Sequence, residues 1–363
     1  MTSRRHFLAK SAAAAGIMFC GCSLSGAAHA QPDTPARRPV LVNGKRVKTI
    51  DVHAHCLFHE AAALLGDAAG SLTPPINNAQ EAYLVIERRL KAMDAQAIDM
   101  EVLSINPFWY DKDRDLAAKI VAIQNEKLAE LVAAQPDRFA AFASLTLQDP
   151  ALAVTQLETA MKRQGLRGAA IGDQVAGDEF SNPRFDPVWA KAEDLGATLF
   201  IHPQGVPELN KRWKGNGWLA NTIANPLGTT IALQHLIFDA TLDKFPRLKV
   251  LAAHGGGYLP SYAPRDDHAC TVAPTFCDPS ITLKKQPTEY LNQLYFDSLV
   301  FTPEALRHLV AQVGASQIVL GSDYPYIWEL HPVDPVFATP TLTDQEKAGI
   351  LGANAATLLG ITA

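Results

Sequence analysis

The stretch Thr49-Ile50-Asp51-Val52-His53-Ala54-His55 is an apolar run that ends in two imidazole side chains. Side chains alternate between the two faces of a β-strand, so we expect His53 and His55 to point to the same side. Three later apolar runs also end in an imidazole or a carboxylate: Leu199-Phe200-Ile201-His202, Leu251-Ala252-Ala253-His254 and Val319-Leu320-Gly321-Ser322-Asp323. Reactive side chains at several strand ends indicate that those ends meet at one functional edge.

Eight apolar, β-rich runs recur along the chain with helical patterns between them. They cover residues 48–52, 100–105, 139–145, 168–171, 197–201, 249–253, 294–298 and 317–320. This alternation favours an α/β fold, a (β/α)8 TIM barrel whose C-terminal rim carries these imidazoles and this carboxylate. An open doubly wound sheet is the alternative, but Gly255-Gly256-Gly257 lacks the glycine spacing of a dinucleotide-binding loop.

The helical patterns between these runs have recognisable ends. Residues 117–134 carry apolar side chains at three- and four-residue intervals, and Pro136 follows them. Thr302-Pro303-Glu304 predicts a helix start, with an N-cap residue and a proline at the first helical position. The chain therefore alternates strands and helices over most of its length.

The composition is that of a globular protein. The 363 residues are 48% hydrophobic and 19% charged, with a formal net charge of −5. Lysine and arginine are scattered along the chain, so nucleic acid is not expected as a partner. Cys56, Cys270 and Cys277 show no CxxC spacing, which argues against a cysteine zinc site. Either Cys270 and Cys277 form a disulfide bond or all three are free thiols.

The N-terminal residues are typical of an export signal. Ser3-Arg4-Arg5-His6-Phe7-Leu8 precedes an alanine-rich stretch that ends in Ala28-His29-Ala30, which predicts a twin-arginine signal peptide over residues 1–30 and a periplasmic location. A membrane anchor is the alternative, but the stretch is weakly apolar and shorter than the roughly 20 residues of a span. Lipid attachment at Cys22 is a second alternative. Residues 31–47, rich in proline and arginine, are expected to form a tether, and residues 48–363 one barrel domain.

Three imidazoles and one carboxylate at the strand ends predict a metal site. His53, His55, His202 and Asp323 form a ligand set that suits Zn²⁺ best and Mn²⁺ as a second choice. Four protein ligands of this kind leave room for water or substrate, as catalytic sites do. The alternative for any single histidine is a hydrogen-bonded core residue. The convergence of all the strand ends favours the metal site.

At this point the chain resembles the amidohydrolase superfamily, in the branch of aminocarboxymuconate-semialdehyde decarboxylase and the metal-dependent hydroxybenzoate decarboxylases. The resemblance covers nearly the whole chain after residue 47. It is carried by Ile50-Asp51-Val52-His53-Ala54-His55, Met93-Asp94, Val102-Leu103-Ser104, Gly168-Ala169-Ala170-Ile171-Gly172, His202-Pro203, Thr229-Thr230-Ile231-Ala232, Phe245-Pro246-Arg247-Leu248-Lys249-Val250, His254-Gly255-Gly256-Gly257 and Gly321-Ser322-Asp323-Tyr324-Pro325.

The resemblance implies roles for particular residues. His53, His55, His202 and Asp323 would hold one divalent metal, and His254 would be the acid/base beside them. It implies a lyase with a single metal, since the run at 168–171 ends without the lysine that a second metal requires. We expect His254 to handle the proton on water or on a substrate hydroxyl, and Asp323 to exchange a proton with the reacting carbon.

Substrate-binding residues are expected near the same rim. Asn106, Phe108 and Trp109 follow the second run and are expected to form a flat aromatic wall for a ring, or else a packed rim loop. Arg265 resembles a family arginine that reaches into the neighbouring subunit, which implies a homodimer or larger homo-oligomer; a surface arginine is the alternative. The range 56–87 contains no Arg or Lys, a departure from the semialdehyde decarboxylases.

The leading hypothesis is metal-dependent, non-oxidative decarboxylation of a small aromatic or unsaturated carboxylic acid. Hydrolysis of a lactone or amide, or hydration of an unsaturated acid, is the alternative, since a metal site with a histidine base also serves those reactions. A periplasmic metal- or solute-binding protein is the non-enzymatic alternative. Release of CO2 supports the lyase, ring opening without CO2 supports the hydrolase, and no turnover supports the binding protein.

Overall fold

A computed structural model describes residues 37–362 of the chain. In this part of the chain the strands are β1 Val40–Val42, β2 Lys45–Val47, β3 Ile50–His55, β4 Met100–Ser104, β5 Phe139–Ala141, β6 Gly168–Ile171, β7 Thr198–Ile201, β8 Lys249–Ala252, β9 Leu294–Asp297 and β10 Ile318–Val319.

The α-helices of the same range are α1 His59–Ala62, α2 Ile86–Ala95, α3 Arg114–Ala134, α4 Pro150–Lys162, α5 Asp186–Leu195, α6 Leu219–Thr222, α7 Ala224–Phe238, α8 Thr241–Lys244, α9 Leu259–Val272, α10 Pro303–Val313, α11 Asp334–Ala338, α12 Asp344–Ala348 and α13 Asn354–Leu359. Short 3-10 turns are interspersed with them, and a π-turn at Gly349–Ala353 joins α12 to α13. None of the described helices is both long enough and apolar enough to span a membrane.

Strands β3 to β10 close into a parallel barrel. The order β3-β4-β5 forms one sheet and β6-β7-β8-β9-β10 another, and all neighbouring pairs within them are parallel. Parallel bridges join the two sheets at both seams, Ala143 to Ala169 on one side and Ala54 to Tyr324 on the other. The predicted (β/α)8 barrel is therefore confirmed, and its eight strands follow the eight predicted runs.

The barrel interior is a packed apolar core. Val52, Val102, Phe142, Phe200 and Leu251 belong to one buried cluster that the strands enclose. Helix α13 contributes to the same cluster and closes one end of the barrel, with Ala355, Ala356, Leu358 and Leu359 buried in it. A second cluster fills the layer between the strands and the surrounding helices. The end opposite α13 is left for the site.

Local sequence determines where the main helices begin. The Asp113 carboxylate accepts hydrogen bonds from the backbone N–H groups of Asp115 and Leu116, which caps α3. The Thr302 hydroxyl accepts one from the Ala305 N–H, and Pro303 occupies the first turn of α10. These are the helices that the patterns at 117–134 and 302–304 predict, with α3 beginning three residues earlier.

The expectation of a tether over 31–47 is wrong for residues 40–47. Residues 40–47 form an antiparallel hairpin in which Val40 pairs with Val47, and Val40 and Val42 are buried. Asn43 and Gly44 turn the chain with φ values of 49° and 73°, as the turn of a two-residue hairpin requires. The expected signal peptide at 1–30, the Cys22 alternative and residues 31–36 lie outside the described residues.

Candidate metal centre and active site

The four predicted metal ligands converge at one point above the barrel core. His53, His55, His202 and Asp323 are buried, and one ligand atom from each lies within 4.8 Å of the others. The Nε2 atoms of His53 and His55 are 3.0 Å apart. Asp323 Oδ1 lies 2.8 Å from His55 Nε2 and 3.2 Å from His53 Nε2. This convergence was predicted from the strand ends.

A β-bulge orients the two histidines of β3. The pairing of β3 with β4 shifts register between Asp51 and Ala54. Val52 packs in the interior cluster, whereas Ala54 packs in the outer one, so the bulge leaves His53 and His55 on the inner side. The alternation argument gives the right direction for these two side chains, although the regular pleat that it assumes is interrupted between Asp51 and Ala54.

Asp297 holds two parts of the site together. Its Oδ2 accepts a hydrogen bond from the His254 backbone N–H at 2.9 Å and lies 2.6 Å from His53 Nδ1. Its Oδ1 accepts from the backbone N–H groups of Gly255 at 2.9 Å and Leu299 at 3.1 Å. The contact with His53 Nδ1 leaves Nε2 to face the other ligands, as in the carboxylate–histidine pairs of metal sites.

Asp51 holds the segment after β10 that carries Asp323. The Asp51 carboxylate accepts hydrogen bonds from the backbone N–H groups of His53 and Ser322 and from the Ser322 hydroxyl. The backbone also connects the two strands, since the Asp323 N–H donates to the His53 carbonyl at 2.8 Å. Asp51 therefore joins the first and last strands of the barrel directly below the ligands.

His55 is held from both ends. Its Nδ1 forms a hydrogen bond with the Ser104 hydroxyl at 3.2 Å, which leaves Nε2 free to face Asp323. Arg89 donates to the His55 carbonyl and to Glu101 Oε2, both at 2.6 Å, and its guanidinium lies over the Tyr324 ring. Arg89 and Glu101 are buried, so this ion pair is shielded from water.

The protonation states of three of the four ligands suit a cation. Burial lowers the pKa of His55 to about 4 and holds the pKa of His202 well below its usual range. Burial also opposes charge on His53, but Asp323 and Asp297 outweigh it and raise the pKa of His53 to about 10. Burial would raise the pKa of Asp323, yet the facing imidazoles hold it well below the usual value. His55 and His202 are thus neutral and Asp323 is ionised near pH 7, as metal binding requires. His53 is protonated near pH 7 in the metal-free site, so a cation that binds its Nε2 would release that proton.

The donor set fits one divalent ion. Asp323 Oδ1 is buried and has no hydrogen-bond donor among the described residues, although it faces two imidazole nitrogens. A buried carboxylate oxygen without a donor is costly, and a shared cation would satisfy it. Nitrogen and oxygen donors of this kind suit Zn²⁺ and Mn²⁺. Within the described residues, this is the one His/Asp/Glu/Cys cluster with such spacing.

His254 lies beside the ligands without belonging to them. It follows β8 in the left-handed backbone region, with a φ of 55°, and its Nε2 lies 3.6 Å from Asp323 Oδ2. Asp323 therefore presents one oxygen to His53 and His55 and the other to His254. Asp297 fixes the backbone of His254, so the position of this imidazole is tied to that of His53.

Three of the four ligands, His55, His202 and Asp323, line an open cavity of about 550 Å³. Its lining joins polar groups such as Asn106 and Gln204 with flat apolar side chains such as Phe108 and Trp328. Lys112 is the single cationic side chain among the described residues that line it. The cavity is large enough for a small ring acid.

The predicted substrate-binding residues divide into two groups. Asn106 and Phe108 line the cavity as expected. Trp109 is fully buried and donates from Nε1 to the Leu145 carbonyl at 2.8 Å, so the expected wall role of Trp109 is wrong. Arg265 lines a separate groove on α9 and does not line the metal cavity of its own chain.

Several site residues were not identified from the sequence. Asp297 lies next to the end of the seventh apolar run and is the last residue of β9, so its strand-end position was a usable signal. The supporting roles of Asp51, Arg89 and Ser104 were not indicated, because they depend on partners far away in the sequence. Two observations answer the open cysteine question: Cys270 and Cys277 form a disulfide bond, and Cys56 is a buried free thiol.

Comparison with known proteins places this geometry in a family. The amidohydrolase family profile matches residues 50–361. The 2-amino-3-carboxymuconate-6-semialdehyde decarboxylase of Dictyostelium discoideum is 31% identical over 277 residues, which cover 75% of this chain and 76% of that protein.

Solved structures agree with this match. The crystal structure of 5-carboxyvanillate decarboxylase from Sphingomonas paucimobilis has a TM-score of 0.78 and 25% identity, covering 87% of this chain and all of that one. The dihydroxybenzoic acid decarboxylase from Polaromonas sp. JS666, solved with manganese and the inhibitor 2-nitroresorcinol, has a TM-score of 0.76 and 27% identity, covering 87% and 97%. These relatives are decarboxylases of aromatic or unsaturated acids, and one of them holds a divalent metal.

Proposed function

This chain belongs to the amidohydrolase family, and we propose that it catalyses the metal-dependent, non-oxidative decarboxylation of a small aromatic carboxylic acid. The observation that carries the proposal is the two-sided position of Asp323. One of its carboxylate oxygens faces the ligand histidines and the other faces His254 at 3.6 Å. A proton-carrying pair thus lies against a metal site at the floor of a cavity.

The bound metal would hold the acidic oxygens of the substrate and withdraw electron density from them. The bond between the ring carbon and the carboxylate carbon then breaks, CO2 leaves, and the electron pair stays on the ring carbon until a proton arrives. Asp323 delivers that proton to the ring carbon, and His254 supplies it to Asp323 or exchanges it with a substrate hydroxyl. Their 3.6 Å separation is slightly longer than a hydrogen bond, so direct proton transfer requires the two groups to approach each other.

A hydroxybenzoate is the substrate class we propose over a muconate semialdehyde. Residues 56–87 contain no Arg or Lys. Among the described residues that line the cavity, Lys112 is the single cation, and its ammonium already contacts Asp111 at 2.8 Å. The substrate carboxylate therefore depends mainly on the metal for charge compensation, and a neighbouring ring hydroxyl would give it a second point of attachment.

We propose Zn²⁺ as the native metal, with Mn²⁺ as the alternative. Three imidazoles and one carboxylate are donors that zinc prefers, while the Polaromonas relative holds manganese. Reconstitution of the chelator-treated protein with each ion, followed by turnover measurement, tests the choice. Higher turnover with Mn²⁺ at equal occupancy would reverse it.

We also propose a homodimer that uses the groove on α9. Arg265 lines this groove, and Val272 and Phe276 beside it are 78% and 91% exposed in the single chain. Apolar exposure of this kind is typical of an interface. Light scattering on the purified protein tests the assembly, and a monomeric mass at micromolar concentration would contradict it.

A periplasmic location remains our proposal from the twin-arginine pattern. The disulfide between Cys270 and Cys277 supports it, since disulfide bonds persist in oxidising compartments. Cell fractionation of the full chain and of an Arg4→Lys/Arg5→Lys variant tests the route. Equal export of both proteins would contradict it.

The experiment that tests the proposed function is a CO2-release screen on the metal-loaded protein. Hydroxybenzoates, carboxylated phenols and muconate-type acids are offered in turn, with a chelator-treated sample as the control. We expect CO2 from at least one hydroxybenzoate and none after chelation. Ring opening or hydration without CO2 would overturn the proposal in favour of a hydrolase or hydratase.

A further inference from the structure

Two tryptophans from different loops meet over the metal cavity. Trp218 lies in the loop between β7 and α6, and Trp328 lies in the loop between β10 and α11. Their rings are nearly parallel, with centroids 6.0 Å apart and an interplanar angle of 14°. Both line the 550 Å³ cavity that His55, His202 and Asp323 also line. Because the two loops follow the strands that lead to His202 and Asp323, the pair lies at the mouth of the site.

The backbone at Trp218 indicates that this placement is built into the loop. Trp218 has a φ of 49° and a ψ of 53°, in the left-handed region that bulky residues seldom adopt. Gly215 and Gly217 just before it also have positive φ values, 123° and 91°. Such a conformation persists where the surrounding structure imposes it, and it is concentrated at binding sites.

The two indoles are also more exposed than is usual for such large aromatic side chains. Trp218 and Trp328 are 36% and 37% exposed, whereas Trp109 and Trp189 are almost fully buried. A stacked pair that lines the cavity and stays partly exposed offers a flat apolar surface to an incoming molecule. Aromatic rings prefer offset stacking on such a surface, and a puckered saturated ring cannot reproduce the contact.

We infer that Trp218 and Trp328 form an aromatic recognition surface that selects substrates with a planar ring. The inference rests on the proposed function for the metal that anchors the acid, and it names what selects the rest of the molecule. The two indoles are specificity residues. They contribute to substrate binding through contact with the face of the substrate ring, and they transfer no proton in the reaction.

The test compares two acids that differ only in the ring. Calorimetric binding to the metal-loaded protein is measured for 2-hydroxybenzoate and for cis-2-hydroxycyclohexanecarboxylate, which offers the same carboxylate and hydroxyl on a puckered ring. We expect Trp218→Leu and Trp328→Leu each to weaken binding of the flat acid by roughly 3- to 10-fold, the range of an aromatic pair contact. Binding of the saturated acid should change by less than about 2-fold on the same reasoning.

Matched variants separate ring recognition from damage to the loops. Trp218→Phe and Trp328→Phe keep a flat face and should recover most of the affinity for the flat acid. Tyr262→Leu removes a 62%-exposed aromatic side chain from α9, away from the cavity, and should change neither affinity. Metal content and circular dichroism of every variant confirm that the site is intact.

The outcomes also distinguish this inference from the proposed function. Three results would overturn the aromatic selection: the variants lose equal affinity for both acids, they lose affinity for neither, or the wild-type holoprotein does not measurably bind the flat acid. Selective loss for the flat acid without CO2 release from any acid would sink the decarboxylase proposal and leave the recognition surface standing. CO2 release without a selective loss of affinity for the flat acid would support the decarboxylase proposal and overturn the aromatic recognition surface.

Discussion

Replacement of Asp297 by asparagine tests how the structure fixes the metal ligands. The Asp297 carboxylate makes four contacts: with His53 Nδ1 at 2.6 Å and with the backbone N–H groups of His254, Gly255 and Leu299 at 2.9, 2.9 and 3.1 Å. Each oxygen faces two of these groups. An asparagine side chain has one oxygen, so in either orientation its NH2 group faces two nitrogens that a carboxylate oxygen now contacts.

The expected cost follows from those contacts. Two buried hydrogen bonds lost at about 1 to 2 kcal/mol each lower the free energy of unfolding by about 2 to 4 kcal/mol. Loss of the carboxylate behind a ligand histidine weakens metal binding by about 10- to 100-fold, which is about 1.4 to 2.7 kcal/mol. Both effects have the same cause, because Asp297 orients His53 and anchors the backbone of His254.

Competition against a fluorescent chelator measures the metal dissociation constant of Asp297→Asn and of the wild type. Asp267→Asn is the matched control, since that carboxylate accepts from the Thr288 N–H at 2.9 Å and from its hydroxyl at 2.8 Å, away from the metal centre. It should lose stability and keep the wild-type metal affinity. A folded Asp297→Asn protein with unchanged metal affinity would refute the reasoning.

Three further predictions concern other groups. His254→Asn should keep one metal per chain by elemental analysis and lose at least about 100-fold in turnover, because it removes the proton carrier; near-normal turnover would contradict that role. Burial raises the pKa of Asp173 from 3.8 to about 7, so its carboxyl group stays protonated to a higher pH in the native state than in the unfolded chain. Wild-type stability in urea should therefore fall by at most about 4 kcal/mol relative to Asp173→Asn as the pH rises from about 4 to about 7, and parallel curves would contradict the burial argument. The disulfide between Cys270 and Cys277 closes a loop with a sequence separation of 7 residues, so Cys270→Ser/Cys277→Ser should lower the free energy of unfolding by about 2 kcal/mol. Reductant should not destabilise this variant further, because the disulfide is already absent. A further loss of about the same size on adding reductant would show that the effect belongs to another group.

The fold and the ligand set could be predicted because their signals are local. A strand end shows in the sequence as an apolar run followed by a polar residue, and His53, His55, His202 and Asp323 all occupy that position. Parallel strands in a barrel bring their C-terminal ends to one rim, so convergence follows from topology alone. The structure places these side chains within 4.8 Å of one another.

The supporting residues could not be predicted because their contacts span the chain. Arg89 reaches Glu101 and the His55 carbonyl, and Asp297 reaches His53, 244 positions away. Register and the β3 bulge determine these pairs, and neither can be derived from the apolar pattern. Trp109 shows the same limit, since only the packing of its loop decides that the indole turns inward.

The expected tether failed for a different reason. The proline and arginine over 31–47 are typical of a tether, but the same range contains Asn43-Gly44 directly after the apolar run Val40-Leu41-Val42. That dipeptide is a strong hairpin signal, because both residues accept a positive φ. The described part of the segment forms the hairpin of β1 and β2, in which Val40 and Val42 are buried.

Anomalous diffraction from crystals of the metal-loaded protein, collected at the absorption edge of the bound ion, addresses the metal centre directly. The account predicts one anomalous peak per chain, bounded by the imidazoles of His53, His55 and His202 and by a carboxylate oxygen of Asp323. A fully loaded protein whose peak lies elsewhere, or whose four side chains turn away from the ion, would contradict it.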